Sequence, residues 1–145
     1  MLDCPCGDMN YMSDILKNNN FKIKYIGMDI VYDLIQENKK KYPQYTFICS
    51  DIINQKLPKY DLIVMKDLLN HLSSNDIIKV LLNSKNSKSK YLLLNNNNIK
   101  KNRKNYLTPA PFWVNINWKL SPWNLNVIEE FFSDGRDKNY VLVKI

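Results

Sequence analysis

Short apolar runs of strand length recur along this chain, and amphipathic segments separate most of them. "KIKYIGMDI", "YTFIC", "KYDLIVMKD", "KYLLLN" and "NYVLVKI" are such runs, and a first one, Met1–Cys4, is cut very short. This alternation predicts an α/β fold around a mostly parallel sheet. Between the runs, "YMSDILKN" places Met12, Ile15 and Leu16 at helical spacing with Lys17 outside, and "VYDLIQENKKK" does the same with Val31, Leu34 and Ile35. In "SNDIIKVLLNS", Ser74 or Asn75 is placed as an N-cap, and Ile77, Ile78, Leu81 and Leu82 form the expected buried stripe.

The texture changes after Asn95. Asn95–Asn105 is polar without periodicity and predicts a loop, and "YLTPAPFWVNINWKLSPWNL" packs three Pro and three Trp into an irregular aromatic flap. "NVIEEFFSDG" predicts a short helix or strand before the final strand. No repeat or linker divides the 145 residues, so a single domain over 1–145 is expected, with the Asn/Lys-rich loop and Trp-rich flap at about 95–125.

Several classes fall away on composition. Hydrophobic residues make up 45% and charged residues 24%, which argues against disorder throughout. No apolar run approaches the roughly 20 residues of a membrane span, and the start shows no signal-peptide pattern, so a cytoplasmic protein is expected. Cys4, Cys6 and Cys49 are an odd set. The first two are too close to bridge comfortably and no second pair supplies a zinc site, so reduced thiols and no metal are expected.

The net charge of +7 is concentrated at Asn38–Tyr42 and Lys79–Lys104. Runs of Asn with Lys fit either solvated surface or phosphate binding. A nucleic-acid stacking surface would interleave aromatics, and only Tyr91 and Tyr106 are near.

The segment Asp3-Cys4-Pro5-Cys6-Gly7-Asp8 has the shape of a strand running into a ligand-binding turn. Gly7 lets backbone approach a ligand because it lacks Cβ, and Pro5 biases Cys4 towards an extended conformation. Asp29 ends the next run 22 positions beyond Gly7, where a carboxylate accepts both ribose hydroxyls. A dinucleotide site would also bring G-x-G-x-x-G, and the chain holds only Gly7, Gly27 and Gly135.

Taken in order, "LDCPCGD … YIGMDIVYDLI … FICSDI … YDLIVMKDLLNHLS … SKYLLLN … NYVLVKI" resembles the class I S-adenosylmethionine-dependent methyltransferases, in a branch whose first motif reads D-x-P-C-G-D. The match runs from Leu2 to about Asn95, with a weaker echo at the C-terminus. The resemblance implies a seven-stranded Rossmann-like sheet with a final antiparallel strand, and S-adenosylmethionine across the carboxyl ends of the first strands.

It further implies Asp3, Gly7 and Asp8 on the methionine side, Asp29 on the ribose, Asp51 on the adenine amine and Ile52 against the ring. Lys66 and Asp67 would emerge beside the transferring methyl. His71, the only histidine, would share a helical face with Asp67 and act as general base. The bland alternatives are turn aspartates and a His that caps or packs a helix. Trp113, Trp118 and Trp123 either contact substrate or cover the core.

The chain departs from the family in its rewritten 95–105 stretch and in a first strand so short that weak pairing is expected. The acceptor implied is an oxygen or nitrogen of a small molecule or glycan. A catalytically inactive binding module and an RNA-directed methyltransferase or basic RNA binder stay open as alternatives.

Overall fold

The computed structural model describes residues 1–18, 22–103, 113–132 and 138–145. Its elements are β1 (Leu2–Asp3), α1 (Met12–Lys17), β2 (Ile26–Asp29), α2 (Tyr32–Lys41), β3 (Thr46–Cys49), β4 (Leu62–Met65), α3 (Ser74–Asn86), β5 (Tyr91–Asn97), β6 (Val127–Phe132) and β7 (Lys138–Lys144). They form one seven-stranded sheet in the order β3-β2-β1-β4-β5-β7-β6. Pairings from β3 through β5 are parallel, and β7 runs antiparallel between β5 and β6. The strand order reverses between β1 and β4, so the crevice beyond their carboxyl ends is the place such sheets bind ligands. This is the Rossmann-like arrangement expected from the sequence. Among the described residues no helix is long and apolar enough to cross a membrane.

The two-residue β1 is better anchored than its length predicts. Leu2 pairs with Ile26 and Ile63, and Asp3 with Gly27 and Val64. Backbone bonds continue past the strand, from Cys4 N–H to the Val64 carbonyl and from Cys6 N–H to that of Met28 (both 2.9 Å). Leu2 is completely buried. Leu2, Cys4, Met28, Ile63, Met65, Leu92 and Val141 join Ile77 and Val80 of α3 in the larger core. On the opposite face Met9, Met12, Tyr25, Ile35 and Phe47 form a second one.

Local signals set the helices, with shifts of register. The N-cap of α3 is Ser73, not Ser74 or Asn75: its hydroxyl accepts from Asp76 N–H at 3.1 Å and donates to the Asp76 carboxylate at 2.7 Å. With that start, Ile77, Val80 and Ser84 are buried while Ile78 and Leu82 of the expected stripe face outward. In α1 Met12 is buried and Ile15 exposed, and in α2 Ile35 and Asn38 are buried while Val31 is the exposed N-cap.

The largest correction concerns 95–105, where a loop is expected. β5 continues through Asn95, Asn96 and Asn97, pairing each with β7. All three are buried, as is Asn102, and each side chain is hydrogen-bonded. Asn95 bonds Asn70 and the Asp67 N–H, while the Oδ1 atoms of the other three reach the irregular segment 113–126. Asn96 Oδ1 accepts from Trp118 N–H (2.9 Å), Asn97 Oδ1 from Ile116 N–H (3.0 Å), and Asn102 Oδ1 from Asn117 N–H (2.8 Å). Trp118 is fully buried, donates its indole N–H to the Asn95 carbonyl, and packs on Trp123 at 5.5 Å. Trp118 and Trp123 therefore cover the core, and "NVIEEFFSDG" supplies strand β6. Tyr106, Lys104, Asn105 and the Pro109–Pro111 part of the flap lie outside the described residues.

Asn102 Nδ2 also reaches the carbonyls of Asn117, Leu120 and Ser121 at 2.8–3.1 Å. Removing it strands buried backbone groups, at roughly 1–3 kcal/mol for each that stays unsatisfied. Asn102→Ala is expected to lose about 2–3 kcal/mol in urea unfolding, whereas Asn98→Ala, at an exposed position of the same run, should stay within about 0.5 kcal/mol of wild type.

Candidate functional site

The turn after β1 is fixed from two sides. Asp29, at the end of β2, accepts from Gly7 N–H through Oδ2 and from Val31 N–H through Oδ1, each at 3.1 Å. Asn38 of α2 donates its amide to the Gly7 carbonyl at 2.7 Å. Gly7 has a φ of +53°, the left-handed region where an L side chain is strained, and an added Cβ would meet nothing within 4 Å. Its conformation is what the turn requires. Gly27 matters for another reason: a Cβ there would lie 2.8 Å from the Phe47 ring and 3.0 Å from Cys6 Cβ. The Cys4–Pro5 peptide is cis.

Beyond the carboxyl ends of β1, β2 and β3 lies a cavity of about 130 Å³. Cys4 and Pro5 line it with Asp29, Asp51 and Ile52, and Leu68 and Leu72 close it from the segment after β4. Three residues expected from the sequence, Asp29, Asp51 and Ile52, thus meet in one cleft. Asp29 is 6% exposed, and its two bonds to backbone occupy half of the roughly four acceptor positions of a carboxylate. Asp51 accepts from Ile53 N–H (2.9 Å) and from the Asn54 amide (2.7 Å), so it is also an ordinary turn residue. Ile52 is buried at the cleft wall.

The remaining expected residues sit around this cleft rather than in it. Asp8 is exposed and bonds Asn10 through both oxygens, within its own turn. Asp3 is 1% exposed. Its Oδ2 accepts from the Tyr25 hydroxyl at 2.9 Å, and its Oδ1 is buried without a partner among the described residues. Burial pushes this carboxyl up to about 6, against the lowering pull of the Tyr25 bond and of Lys66. Burial likewise raises Cys4 and Cys6, so both thiols are held in the uncharged form. Among the described residues no cluster of His, Cys, Asp or Glu could hold a metal ion.

After β4 the chain does not form the α-helix that would put Asp67 and His71 on one face. Asp67 adopts a φ of +54°, and only Leu69–His71 turns, as a 3-10 helix. Lys66 Nζ lies 3.1 Å from the Asp67 carboxylate and 5.1 Å from the centre of the Tyr11 ring. Asp67 N–H donates to Asn95 Oδ1 at 3.0 Å. His71 is exposed and meets the half-buried Trp113 edge to face, with ring centres 5.3 Å apart.

Sequence reasoning missed Tyr25, Asn38, Leu68 and Leu72. Asn38, three positions after buried Ile35, was the available signal: a polar residue on the inward face of α2.

No family model matches this chain, and no curated protein matches it by sequence. Solved structures do match in fold. Mitomycin 7-O-methyltransferase superposes with a TM-score of 0.76 at 14% identity, over 99% of this chain and 48% of that one. Human N-acetylserotonin methyltransferase in complex with SAM gives 0.74 at 14% identity, over 99% and 46%. A TehB-like SAM-dependent methyltransferase from Corynebacterium glutamicum gives 0.68 at 16% identity, over 98% and 77%. The chain thus spans about half the length of the first two. These neighbours share a class I methyltransferase fold with it.

The Asp3 carboxyl titrates near 4 when unfolded and at about 6 when folded, so the folded chain holds the extra proton between those values. Its contribution to stability is therefore fully present below about pH 4 and lost as pH rises through about 6. Asp3→Asn removes the buried charge and is expected to stabilise the ligand-free chain by about 2 kcal/mol near pH 7.5, the gain fading towards pH 4. Thermal unfolding across pH checks this, and a loss of stability at the higher pH would contradict it.

Proposed function

We propose that this chain is an S-adenosylmethionine-dependent methyltransferase acting on an oxygen or nitrogen of a small molecule or glycan. The observation that carries this reading is the cleft at the strand-order reversal, where Asp29, Asp51 and Ile52 gather. The fold neighbours that act with this cofactor add support.

The residues fit the group. The orphaned Asp3 Oδ1 and the raised affinity of that carboxyl for a proton suit an ammonium ligand, which would supply the missing partner. Asp29 has acceptor capacity left for ribose hydroxyls after its two backbone bonds. Asp51 would accept from the adenine amine, and Ile52 would offer the ring an apolar wall. At about 130 Å³ the enclosed part is smaller than the ~300 Å³ of whole-ligand sites, so it suits the nucleoside portion. The remainder would run along the open edge by Asp3 and Gly7.

When bound, S-adenosylmethionine supplies an electrophilic methyl group on a sulfonium. The chain's part is to hold an acceptor in line with it, and positioning alone supplies much of the acceleration in such transfers. His71, exposed beside Trp113, would take the acceptor proton on an imidazole nitrogen. Lys66 and Asp67, already paired with each other, would shape the approach rather than exchange protons.

Calorimetric titration with S-adenosylmethionine and its demethylated product tests the reading. Wild type is expected to bind both, and Asp29→Asn to bind at least about tenfold more weakly while remaining folded by circular dichroism. Affinity should also fall below about pH 6, where Asp3 gains a proton and cannot pair with an ammonium. A folded wild type that binds neither ligand would overturn the reading in favour of an inactive relative.

A further inference from the structure

Trp113, the ring that His71 meets edge to face, also lines a second cavity, which neither the cofactor cleft nor the motifs account for. It has a volume of about 330 Å³ and is lined by Ile99, Lys101, Arg103, Trp113, Val114 and Asn115. No acidic residue is among those six. Among the described residues neither Lys101 nor Arg103 takes part in an ion pair.

The walls are fixed by buried groups. Asn102 is 5% exposed and its side chain is tied to Asn117, Leu120 and Ser121. Lys101 and Arg103 flank it in a non-helical segment and are both exposed, so the two cations project away from the anchored residue. Opposite them, Val114 exchanges two bonds with Asn70: its N–H donates to the Asn70 carbonyl at 3.0 Å, and its own carbonyl accepts the Asn70 amide at 2.6 Å. Asn70 is fully buried in the same turn that carries His71. The Trp113 indole N–H is held by Asn115 Oδ1 at 2.8 Å. The cavity and His71 are therefore joined through one rigid connection.

We propose that this cavity is the acceptor pocket and that it selects a planar aromatic acceptor carrying an anionic group, carboxylate or phosphate. Trp113 gives a flat apolar wall. Lys101 and Arg103 give charge-assisted hydrogen bonds to the anion. The inference rests on the methyltransferase reading for the word acceptor, but the pocket's ligand class is tested without turnover.

The test is a two-dimensional NMR titration of the labelled full chain, following Trp113 and Asn115, with 4-hydroxybenzoate, phenyl phosphate and the uncharged 4-hydroxybenzamide. The anionic probes are expected to bind at least about tenfold more tightly than the amide. The double variant Lys101→Ala, Arg103→Ala should erase that difference while keeping S-adenosylmethionine affinity, because both residues lie outside the other cleft. The stronger of the two anionic probes identifies the preferred group.

Equal affinities for charged and uncharged probes, or a preference that survives the double variant, would overturn the proposal. So would steeply salt-dependent binding of a single-stranded RNA oligonucleotide that displaces the benzoate and vanishes in the double variant. Anion preference in a chain that fails to bind S-adenosylmethionine would remove the methyltransferase reading and leave the pocket's ligand class standing.

Discussion

The carboxyl edge of this sheet depends on asparagine side chains that replace missing backbone partners. Segment 113–126 forms neither helix nor strand, yet Val114, Ile116, Asn117 and Trp118 in it are buried. An unpaired buried amide or carbonyl costs as much as several favourable contacts return. An asparagine carboxamide carries both a donor and an acceptor, the same pair that a peptide offers. Asn70, Asn96, Asn97, Asn102 and Asn117 use this to pin Val114, Ile116, Trp118 and Lys119 in sequence. The position of Trp113 beside His71, and of Lys101 and Arg103 around Asn102, follows from those bonds.

That dependence marks where the sequence can be read and where it cannot. The apolar runs located β2 through β5 and β7 because burial on a sheet leaves a composition signal that survives without knowledge of partners. The end of each run also placed Asp29 and Asp51 correctly at the carboxyl edge. The run Asn95–Asn97 hid a strand, since pattern reading treats asparagine as a turn residue. Its fitness for a strand here comes from partners more than 15 residues away, in Trp118, Ile116 and Asn139. The α3 cap illustrates a smaller version. The Ser73 hydroxyl bonds both the backbone and the carboxylate of Asp76, and in a run of two serines the pattern does not say which of them caps. The helical face that Asp67 and His71 would share does not form, because a positive φ at a non-glycine residue leaves no mark in the pattern.

The short β1 shows that burial and neighbours can outweigh length. Two residues carry few ladder bonds, but β1 lies between β2 and β4, and its pairing continues through Cys4 and Cys6 into the turn. Gly27 permits this because Phe47 and Cys6 close over it with no room for a methyl group. The central strand and the ligand turn are thus one structural unit, and Asp29 fastens its far end. A change in Asp29 acts on the turn as well as on anything the turn binds.

Asp3 costs the ligand-free chain stability. A carboxyl with one oxygen bonded to Tyr25 and the other buried without a partner is a poor choice for a core. An apolar residue of similar size would leave only the Tyr25 hydroxyl to satisfy. Burial raises the proton affinity of Asp3. Among the described residues Lys66 is the cation that lowers the Asp3 value, and it is engaged with Asp67. An external ammonium group would lift the penalty and gain the full strength of a poorly hydrated ion pair. Sites that destabilise the free protein in this way are where ligand binding returns the energy.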